Sequence, residues 1–350
     1  MSLTEYTFAN SVTLPLQSTL PGAELPAAVV IGGANVDFKS QTLGRPISGT
    51  SNPGHSRTSL GGVGRNVAEN LARLGVSTAL ITAVGDDANG DRLLSETQAA
   101  GVDTRYALTT PKPTGTYTAI LNDDGEMVIA VAAMDGIDQI TPHAIDSRMG
   151  LITHARILVL DCNVAVDALL RAATIARNSG VAVVVDPVSV VKAGRLVAML
   201  DAGLPLHTIK PNIGELRALT GAPESADIDL RAAATQLHSR GVLHVWVTLG
   251  MDGSFLSSIK DGNQRSEHIA ACEATVIDAT GAGDAMLAGY AAAVLMGLDA
   301  SDAARYGRAA AALTVESEHT VNPSITFAAL TTRVALCAKP ASPQTKGLTE

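Results

Sequence analysis

The sequence predicts an α/β fold: a central, mostly parallel sheet with helices on both faces, plus a small β-sheet that stands off from it as a lid. Three observations predict it. Short β-rich runs alternate with longer helical patterns along most of the 350 residues. The run Val181–Val185 is apolar at every position, as expected of a strand covered on both faces. Two segments, about 36–60 and 114–132, break the alternation and so cannot easily join the main sheet.

Residues 1–26 read as a flexible leader, with Glu5 and Glu24 but no Lys or Arg, unlike a signal or transit peptide. Residues 27–337 read as one domain, opening on the strand Ala28–Gly33. Phe38 to Leu60 is rich in Gly, Pro, Ser and Thr. A helix follows over Arg65–Leu74, where Val67, Leu71 and Leu74 share a face and Gly75 can cap the end. The strand Thr78–Val84 and the helix Asn89–Ala100 come next. Thr114 to Ala132 reads as a hairpin turning at Asn122-Asp123-Asp124-Gly125.

Alternation then resumes. Strands are expected at Arg156–Leu160, Val181–Asp186, His207–Lys210 and Leu243–Leu249, and helices near Val164–Asn178, Ile228–Ser239, Ala282–Met296 and Ser301–Glu316. The stretch 338–350 is mostly polar, contains two prolines and reads as a loose tail.

Composition excludes several classes of function. With 46% hydrophobic and 17% charged residues the chain is not generally disordered. A net charge of −9 and 3% aromatics argue against a nucleic-acid surface, which needs basic stripes and stacking platforms. No apolar run reaches the roughly 18 residues of a membrane helix, so a soluble, cytoplasmic protein is expected. Cys162, Cys272 and Cys337 lie far apart, which argues for reduced thiols rather than a disulfide framework or structural zinc. Cys162 has no partner His nearby and reads as a buried thiol.

The strongest chemical signal is Asp278-Ala279-Thr280-Gly281-Ala282-Gly283-Asp284, followed directly by an apolar helix. Two glycines let backbone N–H groups converge, and the helix N-terminus adds partial positive charge, giving an anion hole suited to a transferring phosphoryl group. Asp284, in the first turn, can accept a proton from a hydroxyl nucleophile. Phosphoryl transfer asks mainly for positioning and charge stabilisation, so this is a sufficient catalytic core. The competing reading is a Gly-rich turn with a helix-capping Asp.

These residues closely resemble the C-terminal signature of the ribokinase-like (PfkB-type) carbohydrate kinases. Gly61-Gly62-Val63-Gly64-Arg65-Asn66 resembles their N-terminal signature. Lys210-Pro211-Asn212-Ile213-Gly214-Glu215 resembles their Asn-x-x-Glu motif, and Thr248-Leu249-Gly250 with Gly253 their nucleotide-binding turn. The four stand in the family's order across roughly residues 28–330. The resemblance therefore implies the ribokinase-like fold and an ATP-dependent phosphotransferase acting on an alcohol. Within the family, Gly32-Gly33-Ala34-Asn35-Val36-Asp37, Ser51-Asn52-Pro53-Gly54, residues 61–75 and Thr320-Val321-Asn322-Pro323 are similar to pseudouridine kinases, which implies phosphorylation of the nucleoside 5′-hydroxyl.

Roles implied by the resemblance follow residue by residue. Asp284 is the base, and the amides of Gly281, Ala282, Gly283 and Asp284 hold the γ-phosphoryl. Asp37 and Asn66 bind ribose, Asn35 helps place base or ribose, Gly61 and Gly62 let backbone approach the sugar, and Ser51 and Asn52 belong to the segment that reads the substrate. Asp37 also stands just past a strand's C-terminal end, where open α/β sheets bind ligands. Lys210, Asn212, Thr248, Gly250 and Gly253 line the nucleotide, with Asn322 near adenine. Glu215 supports Mg2+ through water, as suits an ion that dehydrates reluctantly. Carbonyls around Asp278 and the 314–320 loop correspond to a monovalent-cation site. That loop lacks the Gly of ribokinase, which leaves a K+ requirement open. The family also implies a homodimer through the lid and a functional link to a pseudouridine-5′-phosphate glycosidase.

Other readings are weaker. Gly62-Val63-Gly64-Arg65-Asn66-Val67 almost satisfies a dinucleotide-binding fingerprint, but Val67 occupies the third Gly position. No Gly-Lys-Ser/Thr occurs, so a Walker-type site is absent. A non-catalytic nucleoside sensor would not need Asp284 and both anion-hole glycines. A ribose, adenosine or other nucleoside kinase is the alternative within the family. Asp161-Cys162-Asn163 and Asp186-Pro187-Val188-Ser189 end strands and can equally face the cleft or serve turns. Lys39 can touch substrate or be a solvated lid lysine.

Overall fold

The computed structural model describes residues 25–224 and 227–337. The expected leader, but for its last two residues, and the expected tail lie outside them. In chain order the strands are β1 (Ala28–Ile31), β2 (Asn35–Thr42), β3 (Gly54–Gly61), β4 (Thr78–Ile81), β5 (Ala83–Gly85), β6 (Leu108–Thr110) and β7 (Thr116–Leu121). They continue with β8 (Met127–Ala133), β9 (Ile157–Asp161), β10 (Ala182–Asp186), β11 (Leu206–Ile209), β12 (Val242–Thr248), β13 (Ser254–Lys260) and β14 (Asn263–Ile269). The helices are α1 (Val63–Arg73), α2 (Ala88–Ala99), α3 (Pro142–Asp146), α4 (Met149–His154), α5 (Val166–Asn178) and α6 (Ala193–Asp201). After them come α7 (Ile213–Thr220), α8 (Leu230–Ser239), α9 (Ala282–Leu295), α10 (Ala300–Val315) and α11 (Phe327–Cys337).

The main sheet runs β14-β13-β12-β11-β10-β9-β1-β4. From β12 to β4 its pairs are parallel, and β13 and β14 add an antiparallel edge. Successive side chains of a strand point to opposite faces, and β1 shows the consequence. Val29 and Ile31 pack with Ala172 of α5 and Leu196 of α6, whereas Ala28 and Val30 pack with Leu71 of α1 and Ala288 of α9. Helices on both faces keep the sheet dry and leave its carboxyl edge as the open side.

The lid is a separate sheet, β3-β2-β7-β8. The Gly/Pro/Ser/Thr-rich segment holds two eight-residue antiparallel strands, more regular than its composition suggests, because β2 gains partners on both sides. The β7–β8 hairpin turns where expected, with Gly125 at φ 83. The single strand expected over Thr78–Val84 divides into β4 and β5. The β13–β14 hairpin escaped the sequence reading because Asn263–Ile269 is largely polar.

One expectation is corrected. Cys272 and Cys337 form a disulfide, with Cα atoms 5.3 Å apart across a 65-residue separation. Packing of α11 back onto α10 brings them together: Tyr306 stacks on Phe327 and Arg333 pairs with Glu316. Cys162 is a buried free thiol, and burial pushes it well above its ordinary range. Among the described residues no helix is long and apolar enough to cross a membrane.

Candidate active site

The site lies where the carboxyl edge of the sheet meets α9. Gly281 caps α9 with φ 80, and a Cβ there would stand 2.0 Å from the Thr320 carbonyl oxygen, so glycine is obligatory. The first-turn amides of Gly283 and Asp284 have no partner inside the helix and open on a cavity of about 1000 Å³. Lys210 faces them: its Nζ is 3.6 Å from the position a Cβ on Gly283 would take.

Asp284 is buried, and Asn66 Nδ2 donates to its Oδ2 at 2.7 Å. Burial, then the Asp186 carboxylate, pushes Asp284 from 3.8 up to about 7; Asn66 and Lys210 oppose that rise. A carboxyl tuned to neutrality suits general-base work, because the ideal catalytic pKa lies near the operating pH. Lys210 Nζ pairs with Asp186 Oδ2 at 3.1 Å. Burial disfavours its charge, but Asp186, Asp284 and Glu215 outweigh that and hold it above its ordinary value.

On the lid side, Asn35 Nδ2 donates to Asp37 Oδ1 at 2.6 Å. Asp37 lies above its ordinary range because burial outweighs the pull of Asn35, Lys39 and Arg65. A Cβ on Gly61 would sit 2.4 Å from Asp37 Oδ2, so Gly61 makes room for that carboxylate. Gly62 (φ 96) turns the chain into α1 against the Gly33 carbonyl. Asp161 clamps this corner: its Oδ2 accepts from the amides of Gly33 at 2.8 Å and Gly64 at 2.7 Å. Its role is to hold backbone. Lys39 reaches out of the lid and donates to Thr280 Oγ1 at 3.3 Å, tying lid to anion loop.

Across the cavity, Asn212 and Glu215 form a reciprocal capping box at the start of α7, with both bonds 2.9 Å. Both also line the cavity, as do Thr248, Gly250 and Gly253. Burial raises Glu215, Asp186 raises it further, and the Asn212 amide and Lys210 oppose them. Hence Asp186, Glu215 and Asp284 gather three carboxyls around one lysine. Asp278 is held below its usual range because Thr280 and Lys39 outweigh its burial. Its segment runs beside the 314–320 loop, with the Ile277 amide on the Val315 carbonyl at 2.7 Å.

The structure thus brings together Asp37, Asn66, Lys210, Glu215, Asp284 and the 281–284 turn. Three expected residues, Ser51, Asn52 and Asn322, are not engaged there. Asn52 donates to the Ile47 and Thr50 carbonyls and so folds its own exposed lid loop, with Ser51 exposed beside it. Asn322 donates to the Leu313 carbonyl at 2.7 Å and closes the turn after α10. Asn66 is spent on Asp284 and Arg65 rather than pointing free at a sugar. The sequence reading undervalued Asp186 and missed Arg308 and Met251 on the cavity wall. Only the position of Asp186 at a strand's carboxyl end signalled it.

Residues 26–326 match the family described as pfkB family carbohydrate kinase. The chain is 35% identical over 301 residues to a pseudouridine kinase of Escherichia coli (strain K12), covering 86% of this chain and 94% of that one. It is 29% identical to a pseudouridine kinase of Arabidopsis thaliana, covering 84% and 92% of the two chains. The structure of Arabidopsis thaliana ribokinase complexed with ribose and ATP superimposes with a TM-score of 0.78 at 26% identity, over 89% of this chain and 99% of that one.

Proposed function

The chain belongs to the pfkB family of carbohydrate kinases, phosphotransferases with hydroxyl acceptors, and from that premise we propose that it transfers the γ-phosphoryl of ATP to the 5′-hydroxyl of pseudouridine. The observation that carries the reaction is the buried Asp284 carboxyl, at about 7, beside the open amides of α9 and across from Lys210. The substrate rests on the likeness to the Escherichia coli kinase.

Asp37, steadied by Asn35, accepts hydrogen bonds from ribose hydroxyls and fixes the acceptor. Asp284, aimed by Asn66, takes the proton of the 5′-hydroxyl as that oxygen attacks the γ-phosphorus. The bond from phosphorus to the β-bridging oxygen breaks and ADP leaves with that electron pair. The amides of residues 281–284 and the Lys210 ammonium meet the charge on the transferring group, where fixed donors are worth most. The clustered carboxyls of Asp186 and Glu215 suit an oxygen-preferring dication, so they would hold Mg2+, through water, and the ion would screen the phosphates. On the lid's outer face the register aligns Phe38, Ile120, Ile129 and Val131, with Ile129 58% and Val131 59% exposed, which supports a second copy of this chain as the lid's partner. The product, a C-nucleoside 5′-phosphate, is what a pseudouridine-5′-phosphate glycosidase consumes.

Ribose is the second reading, favoured by the likeness to the ribose-bound plant ribokinase. An ADP-release assay across pseudouridine, uridine, adenosine and ribose tests both. The proposal expects the highest kcat/KM with pseudouridine; a higher value with ribose replaces it.

A further inference from the structure

Lys192 is chemically misplaced for stability. It occupies the N-cap of α6, where its side chain cannot accept from helix amides and its charge faces the positive end of the helix. It is half-buried, and among the described residues no carboxylate pairs with it. Its amine instead donates to Asn163 Oδ1. The loop that delivers it is strained: Val188, a β-branched residue, sits at φ 68, held by its amide on Asp186 Oδ1 at 2.8 Å.

That loop ends against Asn163, beside Gly33. Asp161 and Asp186 are register partners at the carboxyl ends of β9 and β10, so Asn163 and Lys192 extend the same edge. Asn163 lies against Gly33, where a Cβ would stand 3.2 Å from its Nδ2. Gly33 leads within two residues into Asn35 and Asp37. The Asn163 main chain is fixed, its amide on Asp161 Oδ1 at 2.8 Å and its carbonyl under Arg195. The Asn163 side chain also bonds the Asp161 carboxylate, so the donor with protons to spare at this edge is the Lys192 ammonium, which gives one to Asn163 Oδ1 and makes no ion pair among the described residues.

We infer that Lys192, positioned by Asn163, donates to a carbonyl oxygen of the acceptor's base and so selects nucleosides whose base carries exocyclic carbonyls, as uracil does. The inference rests on the proposed acceptor and deepens it. A site whose half-buried donor loses its acceptor discriminates, since unpaired polar groups are costly.

Lys192→Met is the test, with Lys192→Arg as the conservative partner, read by calorimetric titration of pseudouridine and ATP and by steady-state kinetics with ribose as competitor. Losing a charged hydrogen bond should weaken pseudouridine binding roughly ten- to hundredfold in the Met variant. The Arg variant should recover part of that, with ATP affinity, the ribose inhibition constant and the unfolding temperature held or, for temperature, raised. Equal losses for pseudouridine, ribose and ATP would make Lys192 a structural residue and overturn the inference, as would unchanged pseudouridine binding. A wild-type enzyme that neither binds nor phosphorylates pseudouridine would overturn the proposed acceptor and this inference together, and the wild-type titration alone reveals that case.

Discussion

Replacing Asp284 by Asn removes the proposed proton acceptor but keeps an oxygen for Asn66 Nδ2, which meets Oδ2 at 2.7 Å. Two effects of opposite direction should follow. Turnover should fall by at least about 10²-fold, the lower range for a lost general base. Stability should rise. The carboxyl moves from 3.8 to about 7 on folding, roughly three units at about 1.4 kcal/mol each, on the order of 4 kcal/mol. A raised carboxyl pKa means the neutral form suits the fold. Its contribution is complete below pH 3.8 and is lost as pH rises through about 7. The wild type bears that loss at pH 8 and the Asn variant does not. Between pH 5 and pH 8 the variant's advantage should grow by roughly 2–3 kcal/mol, several degrees in Tm. Thermal melts at both pH values and single-turnover kinetics at pH 8 measure the two. A variant with near-normal turnover, or one less stable than wild type at pH 8, would refute the burial and role assigned to this carboxyl.

Other consequences are as open to measurement. The pH profile of kcat/KM should climb between pH 6 and 8 with an apparent pKa near the value of about 7 carried by Asp284, and Asn66→Ala, which removes a bond favouring the ionised form, should move that rise to higher pH. Gly281→Ala places a Cβ 2.0 Å from the Thr320 carbonyl at φ 80, so denaturant unfolding should show a loss of at least ~1–3 kcal/mol. Cys337→Ser, or reduction by a dithiol, frees the segment around Cys272 that walls the nucleotide cavity; KM for ATP should rise and stability should fall, by up to ~4 kcal/mol on the chain-entropy account, while unchanged values of both would deny the disulfide a structural part. Val131→Asp should convert a dimer into monomers by light scattering; a wild type already monomeric at micromolar concentration rejects the lid pairing.

Most of the fold was legible because its core elements are long or uniformly apolar. Val181–Val185 could only be a doubly covered strand, and the 278–284 turn announces both its glycine geometry and its acid. Where side chains have no periodic signal, legibility failed. The polar β14 owes its existence to pairing with β13, and the Cys272–Cys337 bond to how α11 folds back, neither of which is local. At the site, residue types were readable but hydrogen-bond allegiance was not. Asn52 and Asn322 have the right chemistry for ligand contacts, yet each amide is used to close its own turn. The bond from Asn66 Nδ2 to Asp284 Oδ2 was equally invisible, since the two stand 218 residues apart. Lys192 was invisible because nothing in a single lysine foretells a half-buried helix cap without an ion pair.

The most direct test of the account is the position of the phosphate on the product. Incubating the protein with ATP, Mg2+ and pseudouridine and recording 31P–1H correlation spectra should give one product whose phosphorus couples to the two 5′ protons, with ADP formed in equal amount. Phosphate on another oxygen, or ADP and free phosphate with the nucleoside untouched, would contradict the geometry assigned to Asp284, Asp37 and the head of α9.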